Sequence, residues 1–241
     1  MALDGESTSG WLALVATPIG NLEDMTLRAI RTLREADLIA AEDTRRARRL
    51  CLHYEIDTPL TPYHAFNEHR RTHELLDRVE RGARIVVLSD AGTPAISDPG
   101  FLVVREAMDR GVQPVVIPGV SAVTFAVVAA GLPVDRFLFA GFPPVKAGKR
   151  RRFLEELGAL QHTAFLFESP HRIGRLLREV ADVLGPDTLV AVVREATKCH
   201  EEVLRGRAAD LVAAHAEKKW KGEIVVGLDL RNWEGAAEPC A

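Results

Sequence analysis

The chain has 241 residues, 47% of them hydrophobic, which is enough to bury one large core or two domains of ordinary size and too apolar for a disordered tail. Lys and Arg total 31 against 34 Asp and Glu, a formal net charge of -3, so there is no global attraction to polyanions and any nucleic-acid surface must be a local patch. The widely spaced Cys51, Cys199 and Cys240 argue against a disulfide framework, the polar start with Asp4 and Glu6 against a signal peptide, and the lack of a run near the roughly 18 to 20 apolar residues of a membrane helix against a span, so a cytoplasmic protein is expected.

In chain order, residues 11–16, 38–41, 85–88 and 115–117 read as short, continuously apolar strands. Helices alternate with them: residues 26–35 carry Leu27, Ile30 and Leu33 at helical spacing, and Leu75, Leu76 and Val79 repeat the pattern. This alternation predicts a mainly parallel sheet with helices on both faces. Ligands of such sheets bind at loops after the strands' carboxyl ends, which here are residues 17–24, 89–100 and 118–122. The apolar helix 123–130 ends at Gly131, and Leu132-Pro133 then breaks the chain, predicting an N-terminal domain over 11–133 and a C-terminal one over 134–232. In the second half, strands are expected at 137–140, 164–167, 189–193, 202–205 and 223–230, and helices at 150–157, 172–184 and 208–216. One strand pair leaves no room for a helical crossover, so this sheet is expected to be mixed. Residues 1–10 and 233–241 are expected to be flexible tails.

The loop from Ala16 to Asp24 has the glycine and proline of a tight turn, and it is neither GxGxxG nor a Walker loop. It serves either a ligand or simply the next helix, with Asp24 as N-cap. The loop from Ser89 to Gly100 packs small turn formers and two carboxylates into twelve residues, which suggests a site; Asp98 before Pro99 is also a favourable N-cap and first-turn pair. Ser121, after Pro118 and Gly119, either caps a helix or lies beside backbone groups offered to an adenosine.

The blocks VATPIGNLEDMT, AEDTRRARRL, SDAGTPAISDPG, IPGVSA, FESPHRI, REATKCHEE and KGEIVV, in this order, resemble the cytidine 2′-O-methyltransferases of the ribosomal RNA small subunit methyltransferase I family, within the tetrapyrrole methylase superfamily. The resemblance spans about Trp11 to Leu230. It implies a two-domain α/β fold of the tetrapyrrole methylase type, S-adenosylmethionine between the domains, a homodimer, and small-subunit ribosomal RNA, naked or in the assembled subunit, as acceptor. Carried over by position, cofactor contacts fall on Pro18, Gly92, Thr93, Ile96, Ser121 and Ala122, then on Glu168, Glu195, Ala196, Gly222 and Glu223. Residues 141–146, Gly-Phe-Pro-Pro-Val-Lys, depart from the family's pattern, in which leucine more often precedes the proline.

Methyl transfer from a sulfonium needs in-line approach, and a ribose hydroxyl needs a base or a cation that favours its alkoxide. Candidates are Glu168, His171, Lys198, Glu201 and Asp43. Against each stands a plain role: His171 as a helix cap, Lys198 with Glu201 as a solvated pair. Cys199 and His200 lack a second pair at ligand spacing, so no metal site is predicted. Phosphate contacts are expected from Arg45, Arg46, Arg48 and Arg49, and from Lys146, Lys149, Arg150, Arg151 and Arg152, with Tyr63, His64 and Phe66 as bases' stacking partners or core. Reversing Arg150, Arg151 and Arg152 together is expected to weaken RNA binding alone. The alternatives are a precorrin-type small-molecule methyltransferase, which has no use for such cationic runs, and a non-catalytic RNA-binding or ribosome-assembly protein that keeps the fold.

Overall fold

The computed structural model describes residues 10–215 and 218–233, in two compact units that divide between Ser121 and Ala122. The first runs β1 (Trp11–Val15), α1 (Leu27–Glu35), β2 (Leu38–Ala41), α2 (Thr44–His53), β3 (Leu60–Pro62), α3 (Glu68–Glu80), β4 (Arg84–Leu88), α4 (Phe101–Asp109) and β5 (Val115–Ile117). Its five strands are all parallel in the order β3-β2-β4-β1-β5. Side chains alternate between the two faces. Ala13, Val15, Ile39 and Val86 pack under α1 and α2 through Ala29, Leu33, Ala47 and Leu50, while Leu12, Ala40, Ile85 and Val87 pack under α3 and α4 through Leu75, Leu76, Val103 and Ala107. The neighbours β1 and β4 therefore send their chains to opposite faces, which opens a crevice at their carboxyl ends, the usual ligand position in doubly wound sheets.

The second unit runs α5 (Ala122–Ala130), β6 (Phe137–Phe139), α6 (Ala147–Ala159), β7 (Thr163–Glu168), α7 (Ile173–Val183), β8 (Leu189–Arg194), β9 (Glu202–Arg207), α8 (Ala208–Ala214) and β10 (Ile224–Asp229). Its sheet, in the order β6-β7-β10-β8-β9, is mixed: β6 and β7 run parallel and the other pairs antiparallel. The expected helices α6 and α7 cover one face with Leu154, Leu157, Leu176 and Val180 against Leu166, Val192 and Val226, and α8 joins them through Leu211. The other face holds Phe165, Ala191, Val193 and Val225 against Val123, Ala126, Val127 and Ala130 of α5. That packing moves the boundary from the expected 133/134 to the start of α5. Pro133 interrupts the chain, but the helix before it already belongs to the second sheet.

Other expectations shift for local reasons. The cap of α1 is Thr26, whose hydroxyl accepts from Ala29 N at 3.1 Å, whereas Asp24 closes a 3-10 turn over Leu22–Asp24. Gly100, with φ 138°, caps α4 in place of Asp98. Thr26→Ala is expected to cost about 1 kcal/mol in urea unfolding, and Asp24→Ala no capping energy at all. Of the expected tails, residues 1–9 and 234–241 lie outside the described residues. Trp233 itself packs against the second core, and its backbone carbonyl accepts from Gln161 Nε2 at 3.3 Å.

Candidate active site

In the first unit the three polar loops meet at the β1/β4 crevice. Thr17 and Gly92 exchange backbone hydrogen bonds of 2.9 and 3.0 Å, and the Ser89 hydroxyl donates to the Gly92 carbonyl at 3.2 Å. These bonds set Pro18 beside the turn of Gly92 and Thr93. A Cβ on Gly119 would stand 3.0 Å from that of Ala16, so the missing side chain at residue 119 eases the close packing of the loop after β5 against the end of β1. Ala95 and Ser97 hold left-handed backbone at φ 70° and 62°, a strain that non-glycine residues keep mostly at functional turns, and Ile96 stands exposed between them. Asp24 Oδ2 is buried and has no hydrogen-bond partner among the described residues.

One strand further along lies a cluster that the sequence reading missed. Asp43 N donates to Asp90 Oδ1 at 2.9 Å, and Arg46 lies 3.3 Å from Asp90 Oδ2. Beside them, burial and the Asp90 charge raise the Glu42 carboxyl above its ordinary range, against the Asp90 backbone N–H and the Arg46 guanidinium. The detectable signal was position: Glu42 directly follows β2 and Asp90 comes two residues after the end of the neighbouring β4, and the strand ends pair Ala41 with Leu88. Asp43 caps α2, and its hydrogen bonds to Arg45 hold it at about 2, too acidic for a useful base. Tyr63, 1% exposed and bonded to Thr72, is core; Phe66 is 99% exposed, and His64 sits half-buried with Asn67.

In the second unit β7, β8 and β10 bring their functional ends to one edge, where Ile224 lies opposite both Glu168 and Arg194. Glu195 Oε1 accepts from Glu223 N at 2.9 Å and from Lys198 Nζ at 2.8 Å, while Lys198 also reaches Glu223 Oε2 at 2.9 Å. Burial alone lowers the Lys198 pKa, but the hydrogen bonds its ammonium donates to Glu195 and Glu223 outweigh it, and the net shift is upward. For Glu195, burial pulls upward and the Lys198 and Glu223 bonds win, so its carboxyl falls below the ordinary range. Gly222, at φ 85°, passes so near the Glu195 carboxyl that a Cβ there would collide with it. Lys198 is thus partnered by Glu195 and Glu223, not by Glu201, whose carboxylate instead accepts from Thr197 N at 2.6 Å. Thr197 is left-handed at φ 65° and its hydroxyl is buried without a partner among the described residues, while Ala196 packs against the α5 face of the sheet.

Glu168 is buried, and burial raises its pKa against the opposing pull of Ser169 N and Arg172. Its Oε1 accepts from Ser169 N and pairs with Arg172 Nη2, each at 2.7 Å, so this carboxylate fixes the turn before α7. His171 is exposed on that turn and does not cap α7, whose N-cap is Arg172. No group of three or more His, Cys, Asp or Glu among the described residues is placed to hold a metal ion.

The cationic clusters divide by burial. Arg45, Arg46, Arg48 and Arg49 are all exposed on α2, where Ala47, Leu50 and Cys51 face the core. Lys146, Lys149, Arg151 and Arg152 are exposed at the start of α6, but Arg150 is 2% exposed, so the expectation that it contacts phosphate is overturned. Its guanidinium is consumed by Glu179 and by the carbonyls of Pro144 and Val145.

The family model described as Tetrapyrrole (Corrin/Porphyrin) Methylases matches residues 12–212. The chain is 41% identical over 238 residues to "Ribosomal RNA small subunit methyltransferase I" of Bacillus subtilis (strain 168), covering 99% of this chain and 81% of that one. To the protein of the same name from Thermotoga maritima (strain ATCC 43589 / DSM 3109 / JCM 10099 / NBRC 100826 / MSB8) it is 43% identical over 219 residues, or 91% and 98% of the two chains. Among solved structures it resembles diphthine synthase, with TM-score 0.72, 16% identity and coverage of 93% and 96%. It also resembles the Thermus thermophilus uroporphyrin-III C-methyltransferase complexed with S-adenyl homocysteine, with TM-score 0.62, 19% identity and coverage of 92% and 98%. At these identities the structural likeness establishes the fold alone.

Proposed function

The chain belongs to the tetrapyrrole methylase family and, within it, to the ribosomal RNA small subunit methyltransferase I proteins, and from that premise we propose that it methylates the ribose 2′-hydroxyl of a cytidine in small-subunit ribosomal RNA, using S-adenosylmethionine. The identity of more than 40% to proteins of that name across nine-tenths or more of the chain carries the reading. The acceptor is RNA, naked or in the assembled subunit, and the protein acts in the cytoplasm as a homodimer.

The residues fit such a cofactor. Its polar groups need acceptors and close backbone approach: the first unit offers Asp24 Oδ2 and the turns at Gly92 and Ala95, the second Thr197 Oγ1 and the turns at Thr197 and Gly222, both oxygens unpartnered among the described residues. In the first unit Pro18, Gly92, Thr93, Ile96 and Ser121, on the loops after β1, β4 and β5, are suited to contact the cofactor; in the second unit Ala122, Glu195, Ala196, Gly222 and Glu223 are. When bound, S-adenosylmethionine supplies an electrophilic methyl group on a sulfonium. The chain's own part is to orient the hydroxyl and stabilise the charge that builds on its oxygen. Lys198, kept protonated by two carboxylates, does this as a fixed cation and not as a base. Of the acids at the strand ends, Glu42 is suited to take a proton, because burial raises it, whereas Asp43 is held too acidic and Glu168 is committed to Arg172. The exposed arginines of α2 and the cations of α6 supply phosphate contacts that position the strand.

Incubation with methyl-labelled cofactor and either small ribosomal subunits or a precorrin-type tetrapyrrole tests the proposal. Label at a cytidine 2′-oxygen is the expected result, and label in the tetrapyrrole alone would overturn it. A calorimetric titration showing no S-adenosylmethionine binding would leave a non-catalytic RNA-binding protein instead.

A further inference from the structure

Residues 141–146 form a turn after β6. Phe167 N–H donates to the Gly141 carbonyl at 2.9 Å, and Gly141 then adopts φ 65° with open space around it, which swings the chain outward. Three aromatic rings line up there. Phe139 and Phe167 lie 4.8 Å apart at 66°, and Phe167 and Phe142 5.4 Å apart at 55°. The first two pack against the α5 face of the sheet, while Phe142 stays 54% exposed at the end of the row.

A lone exposed phenylalanine is ordinary on a protein surface. This one sits on a clamped turn: the buried Arg150 donates to the Pro144 carbonyl at 3.0 Å and the Val145 carbonyl at 2.8 Å, and its remaining donors are held by Glu179 of α7. The ring is therefore presented with little ordering left to do on binding. Beside it, Lys146, Lys149 and Arg152 follow at a spacing of three along one flank of α6, exposed and without an ion pair among the described residues, whereas Arg151 is matched by Glu155 at 3.0 Å. A rigid exposed aromatic next to a cationic flank suits a single-stranded nucleic acid, whose bases stack while its phosphates meet the cations. A second copy of this chain on the same face would set like charges against each other.

Resting on the RNA reading above, we propose that Phe142 is a stacking platform for an unpaired nucleobase of the acceptor RNA, held in position by the Arg150 clamp and flanked by phosphate contacts from Lys146, Lys149 and Arg152. The test compares Phe142→Ala, Phe142→Trp and Phe142→Leu with the unaltered protein, using small-subunit ribosomal RNA as probe. Phe142→Ala is expected to weaken RNA binding and raise the KM for RNA by about 5- to 150-fold, with cofactor affinity and melting temperature unchanged. Trp is expected to keep the parent's affinity within about twofold, and Leu to behave as Ala, because stacking needs a π face. Unchanged RNA affinity in Phe142→Ala, or full rescue by Leu, overturns the proposal. So does a loss of RNA affinity that appears only together with a change in sedimentation, which would assign this face to a second copy. If the unaltered protein methylates the RNA and Phe142→Ala matches it, Phe142 alone is removed; an unaltered protein that neither binds nor methylates the RNA, whether naked or in the assembled small subunit, removes the functional reading as well.

Discussion

Replacing Arg150 by methionine is expected to lower the unfolding free energy by about 2–4 kcal/mol, more than any other single charge change on α6, the lower end because water still reaches part of Glu179. Arg150 is buried, and both Glu179 oxygens and two backbone carbonyls depend on it. Taking the guanidinium away leaves the part-buried Glu179 carboxylate unpaired between α6 and α7 and two backbone acceptors without donors. The cost lies in the orphaned partners more than in the pair itself. Arg150→Met with Glu179→Leu is accordingly expected to recover most of the loss, because well-packed apolar groups commonly match a buried ion pair. Urea unfolding of the two single variants and the double variant measures the coupling; a single variant within about 1 kcal/mol of the parent would show that the seam admits water to the carboxylate. The triple reversal of Arg150, Arg151 and Arg152 consequently reports unfolding. Reversal of Lys149 and Arg152, both exposed, is the version that tests phosphate contact without touching the clamp.

Arg150 also shows what the sequence holds and what it hides. Arg150, Leu154 and Leu157 follow at i, i+4 and i+7, so helical periodicity places the arginine on the core stripe, yet reading residues 146–152 as one basic run averages that signal away. The parallel sheet was legible because its strands are continuously apolar, and the mixed sheet because β8 and β9 are too close in sequence for a crossover helix. Helix α2 carries the same amphipathic stripe in Ala47, Leu50 and Cys51, obscured by four arginines, and β3 is a three-residue edge strand ending in Pro62, too short to announce itself. The unit boundary depends on which sheet α5 covers, and its nearly uniform apolarity gives no preferred face to read. At the site, the glycine and proline turns were visible, since a turn's chemistry is local. The partner of Lys198 was not: Glu223 lies 25 residues away and meets it only through antiparallel pairing of β10 with β8.

That pairing underlies the largest catalytic effect expected here. Lys198→Ala should lower the methyl-transfer kcat by about 10²- to 10³-fold, the usual cost of losing a preorganised charge donor at a developing oxyanion. Lys198→Arg should recover only part of it, because Glu195 Oε1 and Glu223 Oε2 grip a single compact ammonium where a planar fork points its donors elsewhere. The pH profile separates a cation from a base. The pKa of Lys198 is raised above its ordinary 10.5, so the stabilisation it lends the fold is complete below that value and is lost as pH climbs through the raised one. Glu195 is lowered below its ordinary 4.5, so its contribution is complete above that value and is lost as pH falls through the lowered one. Between those limits the ion-paired knot is intact, and a cationic Lys198 contributes no limb to the kcat profile. A rate that instead rises through the alkaline side, with the rise abolished in Lys198→Ala, would make the lysine a proton acceptor and reverse its assigned role. A variant that keeps kcat within about threefold of the parent would remove Lys198 from the chemistry, leaving its two carboxylates as a structural bridge between β8 and β10.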